Sequence, residues 1–161
     1  MKDDLREKLI FSALIMGTEP SAVYMERAYT QLVLVEFANG VQEYVLDDFM
    51  LCTSEMIGET KEIILVMLVL SLEKIDTVEV GVDKPLDAQR GYAGPKWGLN
   101  GRIGEIIIPD DPQKAERWYN AIVDFGVGKI LVAINREYFH LQLKAGDYVH
   151  IHGRVDLKGI E

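Results

Sequence analysis

Three histidines fall within thirteen residues: His140, His150 and His152, the only ones in the chain. Imidazole is a common ligand for zinc, iron and copper, and three on one face leave a coordination position open for water. On an extended segment His150 and His152 project to the same side, because side chains alternate with period two. Whether His140 joins them depends on the connection before Tyr148. A two-residue turn at Ala145-Gly146 pairs His140 with Ile151 and turns it away, whereas an odd-length loop gathers all three imidazoles. Asp147 or Asp156 would then supply a fourth ligand. This constellation defines one functional alternative, a metal-dependent enzyme holding zinc or iron at His140, His150 and His152. The sequence favours a simpler reading, two solvent-facing histidines on a half-exposed strand; a third reading is a pH-sensitive surface, since neighbouring histidines repel when charged.

A second group lies in residues 81–102. Lys84, Arg90, Lys96 and Arg102 outnumber Asp83 and Asp87 there, inside a chain of formal net charge -9. Tyr92 and Trp97 are interleaved with the cations. Aromatic faces stack on bases or sugars, and Arg and Lys reach phosphates or carboxylates. Five glycines, Gly81, Gly91, Gly94, Gly98 and Gly101, would let the backbone approach a ligand closely. Arg90, Tyr92, Lys96, Trp97 and Arg102 are therefore the expected ligand- or partner-binding residues. The competing reading is a linker whose Trp97 docks on the core.

Other catalytic and cofactor signatures are absent. The chain has no GxGxxG, Walker A, GxSxG, HExxH or CxxC. The His-x-His at 150–152 resembles part of the cupin metal site, but no glutamate follows at the usual distance and no second histidine motif occurs. Cys52 reads as a small buried apolar residue. Asp47-Asp48 follows a strand and ends it. Asp110-Asp111 sits at a helix start, where acids favour the dipole. These absences point away from an enzyme and away from a resident cofactor.

Composition narrows the class further. Apolar residues make up 48% of 161, enough for a core without disulfide or metal. The acidity repels phosphate backbones and anionic lipid, which disfavours nucleic acid and membrane as partners. A lone cysteine and an N-terminus without signal-peptide character predict a cytoplasmic protein. The longest apolar run, Ile63 to Leu72, is about half a membrane span.

The elements that must carry these groups read as mainly β, α+β at the margin. Val35-Glu36-Phe37 and Gly40 recur 88 residues later as Val123-Asp124-Phe125 and Gly128, and Ile63 matches Ile151. Leu14-Ile15-Met16 with Glu19-Pro20 matches Ile106-Ile107-Ile108 with Asp111-Pro112, 92 residues on. One β-α-β-β-β unit used twice accounts for this. The expected division is a first β-rich unit at 1–80, a Gly-rich linker at 81–101 and a second unit at 102–161, together forming one domain or two. Helical spacing predicts short helices near 20–30 and 112–125. Leu32–Phe37 and Val41–Leu46 form a hairpin about Ala38-Asn39-Gly40. Ile63–Leu72 is rich in β-branched residues and reads as a strand buried on both faces. Lys129–Ile134, Tyr138–Leu143 and Asp147–Val155 read as three further strands.

The expected architecture is a small closed or nearly closed β-barrel. The run from Gly146 to Gly153 resembles segments of small OB and SH3-like barrels, and closure would hide the edges of so apolar a strand. The functional expectation is a non-catalytic binding or assembly module that presents residues 81–102 to a protein partner or small ligand. Homo-oligomers fit this reading. A single-stranded nucleic-acid binder is the remaining alternative.

Overall fold

The computed structural model describes residues 1–83 and 95–161. Arg90 and Tyr92 lie outside the described residues. In chain order the elements are α1 (Asp3–Leu9), β1 (Phe11–Pro20), β2 (Val23–Tyr24), β3 (Arg27–Ala28), β4 (Gln31–Glu36) and β5 (Gln42–Asp47). A 3-10 turn at Ser54–Met56 leads into β6 (Thr60–Ile75), then β7 (Gly81–Asp83) and β8 (Lys96–Ile107). The chain continues through α2 (Pro112–Ala115), β9 (Trp118–Asp124), β10 (Lys129–Asn135), a 3-10 turn at Arg136–Leu141, and β11 (Tyr148–Ile160). The molecule is mainly β, as the apolar patterning requires.

The strands close on themselves. β1, β4, β5, β11 and β6 pair in a ring that returns to β1, and β11, β8, β9, β10 and β6 pair in a second ring. Both rings share the antiparallel pair β6–β11. Closure leaves these apolar strands no long free edge.

Register shows how the two halves correspond. Leu14 pairs with Glu36 and Ile15 with Val35, and Arg102 pairs with Asp124 and Ile103 with Val123. A bulge follows in each case, between Ile15 and Gly17 and between Ile103 and Glu105. All these positions differ by 88. In β6–β11, Met67 pairs with Val155, again 88 apart, so an approximate twofold axis passes through that pair. The β4–β5 hairpin has one more loop residue than β9–β10, so beyond it β5 and β10 correspond at 87. The 92-residue match of Leu14-Ile15-Met16 to Ile106-Ile107-Ile108 is therefore a coincidence of apolar segments, because the bulges align at 88.

Each half lends its last strand to the other. β11 pairs parallel with β5, and β6 pairs parallel with β10. One hydrophobic core consequently spans both rings. Phe37 and Phe125, equivalent residues, meet edge-to-face at 5.7 Å, flanked by Phe11 and Trp97. A smaller cluster of Leu9, Ile64 and Ile122 lies on the outer face and seats α1.

Several local expectations are corrected. Residues 20–30 are not helical. Met25, Ala28 and Tyr29 have helical spacing but no surface to bury against, and β2 and β3 form an isolated two-stranded sheet. The second helix stops at Ala115. Asp111 caps it by accepting from Gln113 N at 2.9 Å, but Trp118–Asp124 is strand. There Ala121 and Val123 face the main core while Ile122 faces the α1 cluster, so burial on both sides erased the period of two. Tyr138–Leu143 is not a strand, since the 3-10 turn covers Arg136–Leu141. Strand β8 begins at Lys96, inside the segment read as a linker. Among the described residues no helix is long and apolar enough to cross a membrane.

Candidate functional site

Arg102 stands in β8 directly opposite Asp124 of β9, and Asp124 is opposite Lys129 of β10. Cross-strand partners project to one side of a sheet. Three adjacent strands thus present cation, acid and cation in a row. They line a cleft of about 620 Å³ with Lys8, Glu105, Ile122 and the Ala145-Gly146 turn.

Each wall is fixed by local structure. The bulge at Ile103–Glu105 brings Ile103 N to Asp147 O at 2.9 Å and Gly146 N to Ile103 O at 2.7 Å. Gly146 has φ +95°, which a glycine adopts without strain. Lys8 is carried by α1, anchored through fully buried Leu9. Its Nζ donates to both Glu105 carboxylate oxygens at 3.0 Å. Asp124 Oδ1 accepts from Gly126 N at 2.8 Å. The Arg102 guanidinium lies 5.9 Å from the centre of the Tyr148 ring. Neither Arg102 nor Lys129 forms an ion pair with a described residue.

The first half supplies a built-in comparison. Gly58 N donates to Ile15 O at 2.7 Å and Ile15 N to Glu59 O at 3.0 Å, reproducing the same corner. Gly58 also has positive φ, +87°. Leu14 occupies the place of Arg102, and Gln42 that of Lys129. The corner therefore folds without either cation.

The other expected residues scatter. Lys96 is half-buried at the start of β8, opposite Arg154. Trp97 is fully buried. Its Nε1 donates to Tyr44 O at 2.8 Å, and its ring packs on Phe37, so no face is open to a base or sugar. Trp97 is a core residue of strand β8.

His150 and His152 share one side of β11, but His140 sits on the 3-10 turn, exposed. The hairpin that would have gathered them does not form. His150 Nδ1 lies 2.8 Å from Asn100 Oδ1 and 3.4 Å from Asp83 Oδ2, so its partners are an amide and a carboxylate. Among the described residues no group of three or more His, Cys, Asp or Glu side chains is placed to hold a metal ion.

Lys8, Glu105, Asp124 and Lys129 escaped the sequence reading. The signal was present in the correspondence between the halves, where a cation stands in place of Leu14 at an offset of 88 and another in place of Gln42 at an offset of 87. Elsewhere, Asp47 is buried and accepts from Gln31 Nε2, Leu51 N and Cys52 N, each at 2.8 Å. That carboxylate ties off β5 and is structural. Glu43 is half-buried, and burial pushes its pKa from 4.5 up to about 7.

No protein-family model matches the chain. No curated protein matches it either. Among solved structures it is similar to the cytoplasmic molybdate-binding protein ModG, in a crystal form with molybdate bound, at a TM-score of 0.49 and 15% identity over 92% of this chain and 93% of that one.

Proposed function

We propose that the chain is a binding module for a small anionic ligand, held in the cleft between β8, β9, β10 and α1. The observation that carries this is the pair Arg102 and Lys129. Both are cations without an ion-pair partner among the described residues. Both stand where the other half of the same fold has an uncharged residue. A fold-determining role would appear in both halves, and these charges appear in one.

The geometry suits a ligand of a few atoms. Guanidinium offers a planar fork for two oxygens, and an ammonium adds a point charge. Glu105 holds Lys8 in reach, so an entering anion competes with it for the ammonium. Asp124 between the cations keeps the cleft near neutral when empty and disfavours a polyanion such as nucleic acid.

Calorimetric titration at low salt with phosphate, sulfate, molybdate and acetate tests this. Binding of at least one anion is expected. Arg102→Ala should weaken it about 10- to 100-fold, the worth of one charge-assisted hydrogen bond. Gln42→Ala, at the equivalent place in the first half, should leave affinity unchanged. No detectable binding of any anion, or equal loss from both variants, overturns the proposal.

A further inference from the structure

A cleft that only attracts negative charge gains nothing from a carboxylate between its two cations, yet Asp124 stands there. Local structure keeps it in place. Asp124 Oδ1 accepts from Gly126 N at 2.8 Å, which fixes the turn after β9 and holds the side chain on the cleft wall. That bond uses one oxygen. Oδ2 has no hydrogen bond or ion pair with a described residue.

The first half shows what an engaged acid looks like at this place. Glu36 corresponds to Asp124, and its cross-strand neighbours are Leu14 and Gln42. Gln42 Nε2 donates to Glu36 Oε1 at 3.2 Å. In the second half Lys129 stands directly opposite the acid, and no ion pair forms between them. Glu105, the other carboxylate of the cleft, has both oxygens on Lys8 Nζ. Among the described residues lining the cleft, two cations thus have free donors and one carboxylate oxygen is free to accept.

This pattern discriminates between oxyanions by their protons. Sulfate and molybdate near neutral pH offer acceptors only, so an oxygen turned towards Asp124 meets like charge. Hydrogen phosphate has the same tetrahedral shape and keeps one proton. It offers acceptors to Arg102 and Lys129 and an O–H donor to Asp124 Oδ2, a charge-assisted bond. We propose that the cleft selects free phosphate, a protonated tetrahedral oxyanion, and rejects fully ionised ones, with Asp124 as the residue that sets the choice. This rests on the anion-binding reading above and names its ligand class. A site arranged to receive a donor penalises an analogue that lacks one, because its acceptor is left facing charge.

Calorimetric titration at pH 8 and low salt with phosphate, sulfate and methyl phosphate tests it. Phosphate and sulfate then carry the same double negative charge and differ by one proton. Wild type should bind phosphate about 10- to 100-fold more tightly than sulfate. Methyl phosphate has lost its proton at this pH and should bind as sulfate does. In Asp124→Asn the amide oxygen keeps the Gly126 N bond, so the turn is retained and an N–H donor faces the cleft. Sulfate should gain about 10-fold or more there, and the preference for phosphate should vanish. Circular dichroism checks the fold of the variant. Equal binding of phosphate and sulfate by wild type, both weakened by Arg102→Ala, overturns the selectivity and leaves the anion cleft standing. Methyl phosphate binding as tightly as phosphate, or a preference that survives in Asp124→Asn, does the same. Absence of all anion binding overturns both.

Discussion

Replacing Glu43 with glutamine should make the protein more stable at pH 8 and leave it little changed at pH 5. Glu43 lies on β5 opposite Val35, and its counterpart in the other half, opposite Val123, is the fully buried Ile130. A carboxyl thus occupies a place the fold treats as interior. Burial raises its pKa from 4.5 to about 7. Below 4.5 the group is protonated in both folded and unfolded chains and contributes nothing. Between 4.5 and 7 the unfolded chain ionises while the folded one keeps its proton, so stability falls as pH rises. Above about 7 both are ionised and the full penalty applies. At 1.36 kcal/mol per pH unit the gap would be worth about 3 kcal/mol. Glu43 is only half-buried, and solvent screening reduces this to about 1–2 kcal/mol. For a chain of this size that moves the melting temperature by about 2–8 °C. Urea titrations of wild type and Glu43→Gln from pH 5 to pH 8 measure the difference directly. A stability difference that stays flat across that range, or one that favours wild type at pH 8, would refute the reasoning.

Gly153→Ala should destabilise by about 2–4 kcal/mol, because an added Cβ would lie 2.2 Å from Leu68 O, a backbone atom that cannot step aside; an unchanged urea midpoint would contradict the β6–β11 register. Removing the Asp47 carboxylate with Asp47→Ala withdraws the acceptor from three donors at once, two of them backbone amides. The expected loss is about 3 kcal/mol or more, read as a shift in denaturant midpoint without a change in slope. Trp97→Phe should cost about 1–2 kcal/mol for the lost Nε1 bond. In a Trp118→Phe background, where Trp97 is the one indole left, emission should be blue-shifted and unmoved by added oligonucleotide, and quenching would reinstate the stacking role.

The architecture was legible where one physical cause dominated. Ile63–Leu72 is rich in β-branched residues, and it became the shared central strand; it is buried on both faces only as far as Met67, and beyond it Leu68 and Leu70 are exposed. Asn39-Gly40 forced its turn, with Asn39 Oδ1 accepting from Val41 N at 3.1 Å. Legibility failed where burial came from an element not yet placed. Ile122 looked like part of a helical stripe because α1 covers the outer face of β9. Residues 20–30 looked helical because their apolar groups have periodic spacing. Spacing does not show whether any surface exists to receive them. The histidine site failed for the same kind of reason. It needed a hairpin between Tyr138 and Val155, and the 3-10 turn at Arg136–Leu141 removed one strand of it.

The register correspondence between the two halves separates what the fold requires from what it leaves free. Two copies of one fold obey the same steric rules, so positions that agree between them report what the fold requires. Ile15 and Ile103, Phe37 and Phe125, and Gly58 and Gly146 agree, and all are core residues or turn glycines. Positions that differ are released from that requirement. Leu14 against Arg102 and Gln42 against Lys129 place both differences at one corner. The β2–β3 hairpin against α2 places another at the far end of the same two strands. Glu43 against Ile130 is a third departure, and there the fold tolerates a carboxyl only in part, as its raised pKa records. Charge at Arg102 costs the fold nothing, because the side chain is exposed and rests on Tyr148. Arg102 and Lys129 are neighbours in one cleft, across Asp124, so the two uncompensated differences act on the same space and are tested together by the anion titration.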